Sequence, residues 1–167
     1  LVYAKGLELK TALATVGTDG TILQEELERI GYYGTFDSSK LIPFKYLELH
    51  IEQGPVLDSD KKEIGVVENL QGISWQKITI EGKANHAGTT PTRLRHDAGL
   101  AASLINVFVR DISIKTGTTL ATIGALELEP NVINVIPNKV TFSLDIRDPN
   151  EQKLLDAEEK VKEYLRK

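Results

Sequence analysis

The sequence predicts an α/β (α+β) fold: a two-layer βαββα sandwich of the split βαβ type, preceded by a partial α/β layer. Three observations carry this. "KVTFSLDIR" alternates Val140, Phe142, Leu144 and Ile146 with Thr141, Ser143, Asp145 and Arg147, the period of a half-buried strand. Two stretches, 97–109 and the C-terminal one, repeat apolar residues at helical spacing. Before Gly72 there are only two short strand patterns and one helix, too little to enclose a core. The organisation is therefore read as 1–71, a partial domain, and 72–167, a second domain lacking its last strand.

Each element has its own local reason. "TDGTILQEELERIGYYG" opens on a turn, with Thr21 and Gln24 as a possible capping box. Ile22, Leu23, Leu27 and Ile30 give the helix its apolar side, and Gly31 or Gly34 closes it. A Pro43-Phe44 turn leads into a strand at 46–51, where Leu47, Leu49 and Ile51 oppose Glu48, His50 and Glu52. "EIGVVENL" is a second short strand after the charged loop "DSDKKE". "ISWQKITIEG" puts Ile78 and Ile80 on one face and Lys77, Thr79 and Glu81 on the other. The helix at 97–109 is expected to bury Leu100, Leu104, Val107 and Phe108. "TLATIGALELE" is a strand, and Asp148-Pro149-Asn150 starts a last helix with Leu154, Ala157, Val161 and Leu165 in register.

Composition excludes several classes. The formal charge of -4 comes without a basic block, so nucleic acid has no electrostatic footprint here. No apolar run reaches the roughly 20 residues of a membrane span, and "LVYAKGLELK" lacks the apolar centre of a signal peptide. The absence of cysteine removes disulfides and thiol catalysis, and fits a cytoplasmic protein. The absence of methionine, even at position 1, leads to the expectation that the chain begins inside a longer one.

Three constellations could carry chemistry. His50 stands between Glu48 and Glu52, and imidazole steadied by carboxylates suits a borderline cation such as zinc. A catalytic zinc wants about three protein ligands, so a polar edge-strand face competes with that reading. In "GKANHAGTTPTRLRHDA" His86 could donate a hydrogen bond to a polarised carbonyl or an oxyanion, or simply be a satisfied turn histidine. His96, inside "RLRHD", solvates the helix start. Asn134, in "NVINVIPN", and Arg147 could hold a carboxylate, arginine through its two-pronged donor edge. The plainer alternative pairs Arg147 with Asp145 or Asp148. No H-E-x-x-H, G-x-S-x-G or phosphate loop is present.

"LELHIEQGPVLD", "NLQGISWQKITIEGKANHAGTTP" and "NVIPN…FSLDIR" together resemble the aminoacylase/carboxypeptidase-type metallohydrolases. The match is to the branch of N-carbamoyl-L-amino-acid hydrolases, β-ureidopropionases and allantoate amidohydrolases, from about residue 15 onward. The resemblance implies that 1–71 belongs to a metallohydrolase catalytic domain and 72–167 to a lid, or dimerisation, domain of a homodimer. It implies His50 as a ligand in a centre of two divalent ions (Zn, Mn, Co or Ni) and Gln53 as an active-site residue near the substrate. It implies His86 as the lid histidine that polarises the scissile carbonyl in the partner's site, and Asn134 and Arg147 as the grip on the small-molecule substrate's carboxylate. The implied reaction is metal-dependent hydrolysis of the carbamoyl C–N bond of N-carbamoyl-L-amino acids. Allantoate is the alternative substrate, and a non-catalytic dimerisation module the alternative role.

The pattern is also incomplete. The family's first ligand histidine, bridging aspartate and consecutive glutamate pair have no counterpart upstream, and Glu25-Glu26 does not replace that pair. Thr92 stands where the family has Met. The expectation is a piece of an amidohydrolase, inactive alone, binding ions weakly or not at all.

Overall fold

A helix or strand forms only where its backbone groups and apolar side find partners, and the two halves of this chain differ sharply in that respect. The computed structural model describes residues 2–37 and 43–166. It divides into two units, Leu1–Glu63 and Ile64–Lys167.

In the first unit α1 (Leu9–Leu13), α2 (Leu23–Arg29) and α3 (Val56–Ser59) bury no residue. Helix α2 lies where the apolar spacing puts it, but the capping box does not form. The Thr21 hydroxyl donates to Asp19 at 2.7 Å and the Gln24 amide to Glu28 at 2.8 Å, leaving Ile22 as the N-cap. Asp19, two residues away, outcompetes the helix for Thr21. The C-terminus closes as the sequence indicates: Gly31 takes φ +73° while its N–H reaches Glu28 O and that of Tyr32 reaches Leu27 O. The segments expected as strands at 46–51 and 63–70 are irregular. Period two exists only in a paired ladder, and among the described residues neither segment has a partner strand; Leu47 is 96% and Leu49 97% exposed.

The second unit contains β1 (Gly72–Glu81), β2 (Asn85–His86), α4 (Ala98–Thr116), β3 (Leu120–Glu129), β4 (Val135–Ile136), β5 (Lys139–Asp148) and α5 (Glu151–Leu165). The main sheet has the order β1-β5-β3, with β5 antiparallel to both neighbours. Strands β1 and β3 therefore run parallel with β5 between them, the split βαβ arrangement expected. Val140, Phe142, Leu144 and Ile146 form the buried face of β5. Ile78 and Ile80 sit opposite Phe142 and Val140 on one side; Ile123 and Ala121 sit opposite Leu144 and Ile146 on the other. Helices α4 and α5 cover this face with Ala98, Ala102, Ile105, Val109, Ile112, Leu154, Ala157 and Val161. A bulge between Ile123 and Leu126 frees the Ala125 N–H, which donates to Ser143 Oγ at 3.0 Å.

Helix α4 corrects the expected stripe. Ile105 is 5% exposed whereas Leu104 is 50%, and Leu100 and Val107 also point outward. Both sets obey helical spacing; the bulkier one attracted the assignment, but Ala98 and Ala102 are the residues small enough to lie against the sheet. Phe108 alone of the expected four turns partly inward, stacking on Tyr164 with ring centroids 4.1 Å apart. The helix also runs past residue 109 to Thr116 and ends at Gly117, φ +70°. Asp97 and Asn150 cap α4 and α5 by accepting from the N–H groups of Leu100 and Lys153. Among the described residues no helix is long and apolar enough to cross a membrane.

Asp148 ties three elements together. It is 1% exposed at the end of β5 and accepts from Thr119 Oγ1 at 2.8 Å, Thr118 Oγ1 at 3.0 Å and the Asn150 N–H at 2.8 Å. Burial pushes its carboxyl up, but the Asn150 N–H, the two threonine hydroxyls and the Lys153 charge outweigh it and hold the group below its ordinary value. A carboxylate depressed in the folded state contributes stability that is present above its unfolded value of about 4 and lost as pH falls through the folded one. Urea unfolding at neutral pH should show Asp148→Ala less stable by about 2–3 kcal/mol, and the gap should narrow as pH falls below the ordinary carboxylate range. The helix face is checked the same way: Ile105→Ala should cost about 2–4 kcal/mol and Leu104→Ala under about 1. Equal losses would contradict the orientation of α4.

Candidate functional site

The chain between β1 and α4 must turn back within sixteen residues, and its glycines allow it. A Cβ on Gly82 would stand 2.3 Å from His96 O, so only glycine permits the crossing in which Lys83 N–H donates to that carbonyl. Beyond it, β2 pairs with β4, setting Asn85 against Ile136 and His86 against Val135. The Ala87 N–H then donates to Asn134 O at 2.9 Å. This two-stranded ribbon brings His86 and Asn134 together, both exposed.

The turn after His86 sets the imidazole. Thr90 donates to His86 O through its N–H at 3.2 Å and its hydroxyl at 2.7 Å. The Gly88 N–H donates to His86 Nδ1 at 3.0 Å. A ring nitrogen that accepts carries no proton, so in the neutral ring the proton sits on Nε2, which becomes a donor. Arg95 closes the turn from behind: Nη2 donates to Ala87 O at 2.7 Å and Nε to Thr90 O at 3.0 Å. In the sequence Arg95 is simply one residue of the charged stretch "RLRHD". The signal that sequence reading missed was the turn's own carbonyls, which need a nearby group with several donors.

Arg147 lies on the sheet face that the helices leave open. It pairs with Asp145 through Nε, at 2.9 and 3.1 Å, and Nη2, at 2.7 Å. The bond to Arg147, opposed by burial and helped by the Trp75 indole and the Arg147 charge, holds the Asp145 carboxyl below the usual carboxylate range. This side-on pairing leaves Nη1 and one Nη2 proton as a second donor edge. Ile73 and Leu120 stand opposite Arg147 and Trp75 opposite Asp145, all three exposed. Eight positions of β5, about 27 Å of strand, separate Arg147 from Lys139 at the end that receives the ribbon. Among the described residues no hydrogen bond or ion pair joins Arg147 to His86 or Asn134.

His50 is exposed, and its Nδ1 meets Ile51 O, which leaves the Nε2 lone pair outward. The carboxylates expected beside it turn elsewhere. Glu48 accepts from the Tyr46 hydroxyl at 2.7 Å, and Glu52 accepts from the N–H groups of Val56 and Leu57, each at 3.1 Å. Without a ladder nothing keeps the three side chains on one face. Gln53 adopts φ +55°, a left-handed conformation that costs a non-glycine residue about 1–3 kcal/mol. Among the described residues no group of three or more His, Cys, Asp or Glu could hold a metal ion, so the donor set present does not fit a metal centre by itself.

Residues 69–167 match the family model of the peptidase dimerisation domain. The chain belongs to this family. Beyond that domain model, the chain is similar to part of several longer proteins. The N-carbamoyl-L-amino-acid amidohydrolase of Rhizobium meliloti is 37% identical over 92% of this chain and 37% of its own length. The allantoate amidohydrolase of Escherichia coli K12 is 38% identical over 72% of this chain and 30% of its own length. A crystal structure of an amidase of the hydantoinase/carbamoylase family from Burkholderia multivorans superimposes with a TM-score of 0.84 at 37% identity, covering 99% of this chain and 41% of that one. The chain thus spans well under half the length of these relatives.

The ion pair of the dimerisation domain gives a direct check. In Arg147→Gln the Asp145 carboxyl, followed by side-chain carbon NMR, should titrate at a higher pH, nearer the ordinary value of about 4. An unmoved midpoint would mean that the pair does not form in solution.

Proposed function

We propose that this chain serves an amidohydrolase that cleaves the carbamoyl C–N bond of N-carbamoyl-L-amino acids, with residues 72–167 as a lid that pairs two copies. The observation that carries the reading is the Gly88 N–H on His86 Nδ1, which leaves Nε2–H as an exposed donor. A donor aimed at a scissile carbonyl gains strength as the oxygen takes on charge, which is the differential binding that lowers the barrier. The open edge of Arg147 has the geometry to take a substrate carboxylate two-pronged, and Asn134, beside His86 at the far end of the sheet, offers an amide at the ribbon. In this reading His50 is one ligand of a centre of two divalent ions (Zn, Mn, Co or Ni) and Gln53 a residue near the substrate. One imidazole does not hold such a centre, so the 167-residue chain alone is expected to be inactive.

The likeness to allantoate amidohydrolase supports that acid as a second substrate, since it too presents a carboxylate and a ureido group. The outward Leu100, Leu104 and Val107 of α4 support a purely associative role instead. Ammonia release by the full coding product that contains this chain separates the readings. N-carbamoyl-L-amino acids and allantoate are each supplied with and without Mn²⁺, Co²⁺ or Zn²⁺. His86→Gln should lower kcat by about 10²–10³-fold. Arg147→Gln should raise KM by at least roughly tenfold. No ammonia from either substrate under any condition would leave the associative role, and an unchanged KM would remove Arg147 from the substrate site.

A further inference from the structure

We infer that Arg95 is a positioning residue for His86, acting through the single peptide group that joins Ala87 to Gly88. Its two ends are both engaged. Arg95 Nη2 holds the Ala87 carbonyl at 2.7 Å, and the N–H of the same planar amide meets His86 Nδ1 at 3.0 Å. In a trans peptide those two groups point in opposite directions, so fixing the oxygen aims the hydrogen. The charge on the guanidinium adds to this: a hydrogen bond from a cation polarises the amide and strengthens the bond made by its other end. The second contact, Nε on Thr90 O at 3.0 Å, fixes the guanidinium plane and spans the turn from Ala87 to Thr90.

The orientation of this one peptide selects the tautomer of His86. If it turned over, both bonds would be lost and a carbonyl would face Nδ1. The ring would then carry its proton on Nδ1 and present Nε2 as an acceptor, the wrong polarity for holding a carbonyl oxygen. Gly88 suits the arrangement, because even a Cβ there would lie 3.3 Å from His86 Cε1. A lysine at 95 would keep the charge but could not reach both carbonyls with a planar fork. The catalytic value of this relay rests on the proposed role of His86; the relay itself does not.

The chain has three histidines, so imidazole NMR can read the relay without any activity. In the histidine-¹⁵N-labelled chain at about pH 8, where an ordinary imidazole is neutral, His86 (assigned through His86→Gln) should show one tautomer with the proton on Nε2. Arg95→Gln should convert it to a mixture, and Arg95→Lys should fall between. Arg93→Gln removes the same charge from an exposed neighbour and should change nothing. In the full coding product Arg95→Gln should lower kcat by about 10- to 100-fold with KM within about twofold. A wild-type ring protonated on Nδ1, an unaltered ring in Arg95→Gln, or loss of folding in both Arg95 variants would each overturn the inference. The expected tautomers without hydrolysis would leave it standing and remove the amidohydrolase reading instead.

Discussion

The strand β5 is the constraint on which the second unit depends. It pairs on both edges, so its register is shared by the whole sheet, and its period of two decides at once what is core and what is surface. A slip of one residue would expose Val140, Phe142, Leu144 and Ile146 and bury Asp145 and Arg147 among helices. Asp148 guards against that slip by bonding the start of β3 and the entry to α5 from the strand's end. The same alternation that builds the core therefore places the charged pair on the open face.

Much of this fold is legible in the sequence where local pattern and tertiary pairing agree. Strands β1, β3 and β5 and helix α5 lie where their spacing puts them, and the Gly31 stop closes α2 as expected. The stripe on α4 was misread because two faces share the helical period, and side-chain bulk favours the wrong one. What decides between them is the space above β5, which only the assembled layers define. Residues 46–51 show the opposite failure: the alternation is real, but a strand is a property of a pair, and Leu47 and Leu49 stay exposed without one.

The candidate site follows the same division. Its residue types were readable, since His86, Asn134 and Arg147 stand in distinctive motifs, and the ribbon of β2 and β4 does unite the first two. Arg95 was not readable, because its partners are backbone carbonyls and no residue pattern marks them. The tautomer of His86 is likewise written in a turn's geometry. In Arg147 the plain structural pairing with Asp145 forms, and it occupies only one edge of the fork.

The bond between Asp145 and Arg147 has a further effect on how an anion would meet this face. With the guanidinium charge offset by its neighbour, little net field extends beyond a few ångströms, so distant carboxylates are not drawn in. Discrimination would then arise on contact, from the fit of a flat acid to two parallel N–H groups between Ile73 and Leu120. Encounter at such a surface would vary little with ionic strength, and shape rather than attraction would choose the ligand.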